Sequence, residues 1–211
     1  DRLDAELVAT MQKAGCYALS FGIESATNRI LKEIKKVLTV EQTIEKINMV
    51  RDAAPKIMLQ GFFMIGFPDE TEEEIEDTIE LARSLPLDIA VFSPLRPTPG
   101  TQIYQDLVNS GVIYANLDYD PEGMGHNYFV RSYSPVSDDR MKYLYLRAYK
   151  RFFLRPKVIA NILFHTRSKA QARTIFNGLK RLIMRPITKL DIRKPEDEEA
   201  LEMATADTSK S

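Results

Sequence analysis

The stretch Gly61-Phe62-Phe63-Met64-Ile65-Gly66-Phe67-Pro68-Asp69-Glu70-Thr71-Glu72-Glu73-Glu74 decides the fold class. Its first part continues an apolar run from Ile57 that is too short for an ordinary helix, so it reads as a buried strand ending at Ile65. Gly66-Phe67-Pro68-Asp69 has the residue types of a turn. Thr71 and Glu74 stand at capping-box spacing and open a helix from Glu72 to Leu85. Glu72, Glu73, Glu74, Glu76 and Asp77 crowd its first turns, where the helix dipole favours negative charge.

The same unit recurs on both sides. Cys16 to Ile23 reads as a first strand, and Ile89 to Leu95, after Pro86-Leu87-Asp88, as a third. Between the first two strands, Ile30, Leu31 and Ile34 mark a helix over 26–36, and Thr39 with Gln42 is another capping box, opening a helix from Val40 to Ala54 before Pro55. Leu3, Leu7, Met11 and Ala14 share a helical face ahead of Gly15, which predicts a helix over 3–14 already running where the chain starts. On that ground the chain reads as a fragment of something longer. Beyond Pro97-Thr98-Pro99-Gly100 come a short helix over 102–110, an irregular section to Pro135, and a helix from Asp138 to Leu154. Amphipathic basic helices over 157–165 and 168–184 follow, then an acidic tail read as disordered. Strands and helices alternating at roughly thirty-residue spacing indicate parallel βαβ units. The fold class is therefore α/β, with about three parallel strands, helices between them and an α-helical extension. Three strands close no barrel, so further strands are expected from elsewhere.

Composition narrows the function classes. The 211 residues hold 29 Lys and Arg against 30 Asp and Glu, but the balance conceals a split. Residues 1–139 carry 12 basic and 23 acidic side chains, residues 140–194 carry 16 and one, and residues 195–211 carry one and six. The split suggests an acidic α/β part, 1–111, an irregular linker, 112–137, a basic helical extension, 138–194, and an acidic tail, 195–211. No apolar run approaches the roughly 20 residues of a membrane span, and the first residues show no signal-peptide pattern, so a cytoplasmic protein is expected. The single cysteine, Cys16, reads as a small buried hydrophobe, and it excludes both an internal disulfide and a multi-thiolate metal site supplied by this chain alone. His126 and His165 stand 39 positions apart with no companion at ligand spacing, so no metal ligand is assigned.

In parallel α/β proteins the chemistry lies at the C-terminal ends of the strands. Three segments qualify: Gly22-Ile23-Glu24-Ser25, Met64 to Glu70, and Ser93 to Gly100. With Ala14-Gly15-Cys16, Ile30-Leu31 and Lys36 ahead, and Thr101-Gln102-Ile103-Tyr104 behind, these blocks resemble the second half of a radical S-adenosylmethionine (SAM) barrel. They are most similar to the branch with an N-terminal cobalamin-binding domain. Ala148 to Pro156 also resembles that branch's helical C-terminal extension. The resemblance covers roughly residues 3–111, with its three blocks in the family's order and spacing.

The resemblance implies the C-terminal half of a (β/α)6 partial TIM barrel. It also implies SAM as cofactor, reduced by a [4Fe-4S] cluster to a 5′-deoxyadenosyl radical, with cobalamin as a further cofactor of the full-length protein. The family's three-cysteine cluster motif is absent from this chain, and Cys16 does not stand in for it, so no metal-ligating or catalytic residue is assigned. Glu24 and Ser25 match positions that bond the ribose hydroxyls or methionyl part of SAM. Met64 and Gly66 match the strand motif lining the adenine, and Leu95 and Arg96 match the end of the last strand. The expected outcomes are methyl transfer, cyclisation or rearrangement of a small-molecule or lipid-like substrate. A reductant protein such as flavodoxin or ferredoxin is implied by the family. On its own the chain is expected to be inactive.

Plainer readings stand beside these. Glu24 could be a solvated or helix-capping carboxylate, and Arg96 a structural or surface arginine. The basic segment 140–194 reads first as helices packed on the α/β part, second as a contact with an anionic membrane at its cytoplasmic face, and third as a nucleic-acid contact. The rival functional readings are a TIM-barrel-like enzyme of a phosphate ligand and a basic helical membrane- or partner-binding module.

Overall fold

The computed structural model describes residues 3–113, 132–156 and 158–160. The chain divides into two compact units, one built from 1–96 and 132–186 and the other from 97–131 and 187–211. The first unit carries the sheet. Its elements are α1 (Ala5–Lys13), β1 (Ala18–Glu24), α2 (Asn28–Glu33), α3 (Val40–Ala53), β2 (Met58–Ile65), α4 (Glu72–Ser84) and β3 (Ile89–Pro94). The described part of the second unit holds α5 (Gln102–Asn109), and the helix Asp138–Phe153, α6, returns to the first unit.

Both capping boxes form, at Thr39 with Gln42 and at Thr71 with Glu74. The start of α1 corrects the expectation of a helix already running. The Asp4 carboxylate accepts the Leu7 N–H at 2.8 Å, and the helix begins at Ala5 behind that cap. Cys16 is half-buried, not a core residue, with its sulfur 3.5 Å from the Ala18 carbonyl. Helix α2 is shorter than its apolar spacing suggests because Lys35, at φ +57°, turns the chain left-handed just past its end. Of the predicted helix over 157–165, residues 158–160 are described and are helical, while its other residues, the predicted helix over 168–184, the tail, His126, His165 and most of the linker lie outside the described residues.

The three strands are parallel and in the order β1-β2-β3. Period-two alternation gives the sheet two unlike faces. Ile23, Leu59, Phe63, Ile65, Ala90 and Phe92 are buried, with the Phe63 and Phe92 rings stacked at 5.2 Å. On the opposite face, Ser20, Gly22, Phe62 and Ser93 are exposed, and Gln60, Met64 and Val91 are half-buried. The N-terminal ends of the strands are tied down by Arg51. Its guanidinium donates to the carbonyls of Pro55, Ile57 and Pro86 and to Asp88 Oδ2 at 2.6 Å, while the same oxygen accepts the Leu59 N–H.

Helix α6 packs on α4 and β3, and the contact resolves much of the charge split. Arg140 pairs with Glu72, Arg147 with Glu76 at 3.0 Å, and Arg151 with Glu76 and Glu80. Arg155 donates to the carbonyls of Phe152, Arg83 and Leu87, with its guanidinium 4.0 Å above the Phe152 ring. These four arginines thus serve packing within the unit. The glutamates that suit the dipole of α4 are also the partners of the basic helix.

Candidate functional site at the strand ends

The C-terminal end of β1 is irregular in a way that decides where Glu24 lies. The register with β2 slips between Gly22 and Glu24, leaving Ile23 as an extra residue, and Glu24 takes φ +71°. A left-handed conformation at a residue with a Cβ costs on the order of 1 kcal/mol and clusters at functional positions. The strained turn folds the carboxylate back over Gly22 on the open face of the sheet. A Cβ on Gly22 would lie 2.6 Å from Glu24 Oε1 and 3.0 Å from Lys36 Nζ.

Lys36 is brought there by the end of α2. Lys35 occupies the left-handed position, its N–H bonds the Lys32 carbonyl, and the Lys36 N–H reaches back to Leu31 at 2.8 Å, the two bonds of a Schellman motif. The ammonium then stands 3.4 Å from Glu24 Oε1, with both side chains partly exposed. A carboxylate and an ammonium side by side above a missing side chain make a polar cradle open to a ligand.

Ser25 takes the opposite direction. It is completely buried, its hydroxyl accepts the Thr27 N–H at 3.1 Å and lies 3.5 Å from Thr78 Oγ1 of α4, and Thr78 in turn accepts the Ala26 N–H. The structure therefore separates the Ser25 side chain from the open face. It anchors the end of β1 to α4.

Met64 lies on the open face near the end of β2, in register with Ser93. Gly66 follows at φ +87°, and a Cβ there would meet Met141 Cε at 3.2 Å. Only glycine takes this conformation without strain, so the backbone stays narrow where β2 ends. Leu95 is buried and its N–H is already given to the Ile65 carbonyl at 2.7 Å, which joins β3 to β2 past the last ladder pair. Arg96 is exposed beside it. Glu24, Met64, Gly66 and Leu95 thus stand at one end of one sheet.

Two residues at these strand ends carry no assignment from sequence. One is Lys36, whose place depends on the turn after α2. The other is Glu70, wholly buried, whose Oε2 accepts the N–H groups of Gly66 and Phe67. Burial pushes its carboxyl up to about 7, against the pull of those two hydrogen bonds. An acid four residues after a turn glycine is the sequence signal that could have marked it. Among the described residues no cluster of His, Cys, Asp or Glu is arranged to hold a metal ion, and no helix is long and apolar enough to cross a membrane.

Comparison with known proteins gives the chain's sequence relatives. Residues 1–82 match the family described as the Radical SAM superfamily. An uncharacterized methyltransferase of Pyrococcus horikoshii is 32% identical over 75% of this chain and 34% of its own length. A tRNA-2-methylthio-N(6)-dimethylallyladenosine synthase of Protochlamydia amoebophila is 33% identical over 45% of this chain and 22% of its own. Among solved structures, an N-terminally truncated Elp3 of Methanocaldococcus infernus aligns over 72% of this chain and 30% of that one, with 18% identity and a TM-score of 0.48. The chain spans about a third of the length of the methyltransferase it matches.

Proposed function

Because residues 1–82 carry the sequence of the radical SAM superfamily, we propose that this chain supplies the SAM-binding strand ends of an enzyme of that superfamily, as the C-terminal half of its barrel. The observation that carries the proposal is the cradle above Gly22, where Glu24 and Lys36 meet at 3.4 Å. The Glu24 carboxylate can accept hydrogen bonds from two vicinal ribose hydroxyls, and the Lys36 ammonium can pair with a ligand carboxylate. Met64 and the backbone at Gly66 provide an apolar, narrow surface for a flat heterocycle. Leu95 supports that surface through its bond to Ile65. Ser25 acts from behind, by holding the strained end of β1. Arg96 is assigned to the rim, where a guanidinium suits the carboxylate of SAM or an acidic substrate.

SAM supplies an adenosyl radical or a transferable methyl group when bound. A [4Fe-4S] cluster held by three thiolates does not find its ligands here, since the chain has the one cysteine, Cys16, placed before β1 at the opposite end of the strand. Methyl transfer is the outcome supported by the methyltransferase relative, with cyclisation and rearrangement as alternatives. The substrate is proposed to be a small molecule or lipid-like compound, cobalamin a second cofactor of a longer protein, and a small electron-transfer protein the reductant, all in the cytoplasm.

Isothermal titration with SAM tests the cradle. Saturable binding is expected. Glu24→Ala removes a charged acceptor that contributes about 1.5–3 kcal/mol, so it should weaken binding about tenfold or more. Equal affinity in the wild type and the variant sinks the assignment of Glu24.

A further inference from the structure

The turn after β2 is built around a carboxyl group, that of Glu70, which has no part in the SAM contacts proposed above. Glu70 Oε2 takes the Phe67 N–H at 3.0 Å and the Gly66 N–H as a short bond, while Oε1 is equally buried and has no hydrogen-bond partner. Two residues of this turn hold left-handed backbone, Gly66 at φ +87° and Asp69 at φ +60°. The conformation therefore needs an internal support, and Glu70 is the group that provides it from within.

The surroundings define its charge state. The charged groups facing it are Glu74 of α4 and Arg29 of α2, opposite in sign and paired with each other at 2.7 Å. Arg29 also donates to the Asp69 carbonyl, and it pairs with Glu33. From α6 the side chain against the turn is the apolar Met141. Among the described residues the cation facing Glu70, Arg29, is already paired with Glu74 and Glu33, and an anionic oxygen buried without a donor is far costlier than a buried neutral acid.

We propose that Glu70 is a positioning residue of the SAM subsite: as the neutral acid, with its proton on Oε1, it holds the N–H groups of Gly66 and Phe67 and so sets the turn against which the adenine packs. The inference deepens the reading of this site and rests on it. Ionisation leaves Oε1 charged and out of reach of any donor, so the turn has to open and admit water. Glu70→Gln reproduces the neutral state, because its carboxamide oxygen accepts both N–H groups. Glu70→Ala removes the acceptor altogether.

The test follows the backbone amide resonances of Gly66 and Phe67 between pH 5.5 and 8.5 in ¹⁵N-labelled protein, with a SAM titration at both limits. In the wild type the two amides are expected to titrate together, with SAM affinity falling about tenfold across the same interval, the cost of leaving one buried polar group unsatisfied. In Glu70→Gln both amides and the affinity should be independent of pH and close to the wild type at low pH. Amides that ignore pH in the wild type, or that titrate alike in both proteins, overturn the proposal. Joint titration in the wild type alone, with SAM bound by neither protein at any pH, would uphold the support of the turn by Glu70 and overturn the SAM reading instead.

Discussion

The hydroxyl of Tyr149 donates to the Phe92 carbonyl at 3.0 Å and accepts the Phe92 N–H at 3.2 Å. One side chain of α6 thus satisfies both backbone groups of a β3 residue. The rings of Phe92 and Tyr149 meet edge to face at 5.5 Å, and burial pushes the phenol above its ordinary range, so it stays a donor at any ordinary pH. Tyr149→Phe keeps the ring and strands the two backbone groups. A loss of about 1–3 kcal/mol of unfolding free energy is expected, measured by urea denaturation with an unchanged slope.

The arginine ladder between α6 and α4 makes a different prediction. Arg151 and Glu80 are each more than a third exposed, so each pair contributes only about 0.2–1 kcal/mol after solvent screening. Arg151→Glu should destabilise the protein modestly, the double exchange Arg151→Glu with Glu80→Arg should recover part of the loss, and 1 M salt should shrink both differences. An effect of Arg151→Glu that ignores salt would place its origin in packing. Because Arg155 is likewise bonded to three carbonyls, replacing Arg151 and Arg155 by Glu would disturb folding as well as any contact with a lipid surface.

Gly22→Ala separates stability from binding. The atoms nearest the new methyl group are the far ends of the Glu24 and Lys36 side chains, which are flexible, and Gly22 has no left-handed backbone to strain. Thermal stability should therefore change by no more than about 0.5 kcal/mol, the usual range of a surface substitution. SAM affinity should fall about tenfold, about 1.4 kcal/mol, because the cradle is pushed apart. Calorimetry and a thermal melt on the same sample distinguish the two effects.

Glu70 also makes stability depend on pH. Its carboxyl ionises at the ordinary value of 4.5 in the unfolded chain and at about 7 in the folded one. Between those values the unfolded state binds fewer protons, so unfolding free energy falls as pH rises and levels off above 7. The loss is about 3 kcal/mol at 1.36 kcal/mol per pH unit, present in the wild type and absent from Glu70→Gln. Chemical denaturation at pH 4.5, 6 and 7.5 measures it, and parallel curves for the two proteins would contradict it.

Much of this fold was legible from local chemistry. Thr39 with Gln42 and Thr71 with Glu74 announced two helices to within a residue, because a capping box is a pair of hydrogen bonds written into four consecutive positions. The strands were legible as apolar runs between turn residues. What escaped depends on backbone signs and on contacts across the chain. Asp4 was read as part of a helix and proved to cap one. Glu24 and Ser25 are neighbours in sequence, yet the register slip at Ile23 sends one carboxylate over the open face and one hydroxyl under α4. Lys36 meets Glu24 only because Lys35 turns left-handed. Glu70 sits in an acidic run beside a helix start, where acids are usually solvated, and its burial follows from α6 and α2 closing around the turn.

Hydrogen exchange by mass spectrometry, with and without saturating SAM, tests the central claim most directly, because it locates the ligand on the sheet without requiring turnover. Protection confined to 22–25, 36 and 64–67, with adjoining residues of 93–96, is the predicted result. Protection at the opposite end, around Pro55–Leu59 and Pro86–Asp88, or no protection anywhere, would contradict the assignment of SAM to these strand ends.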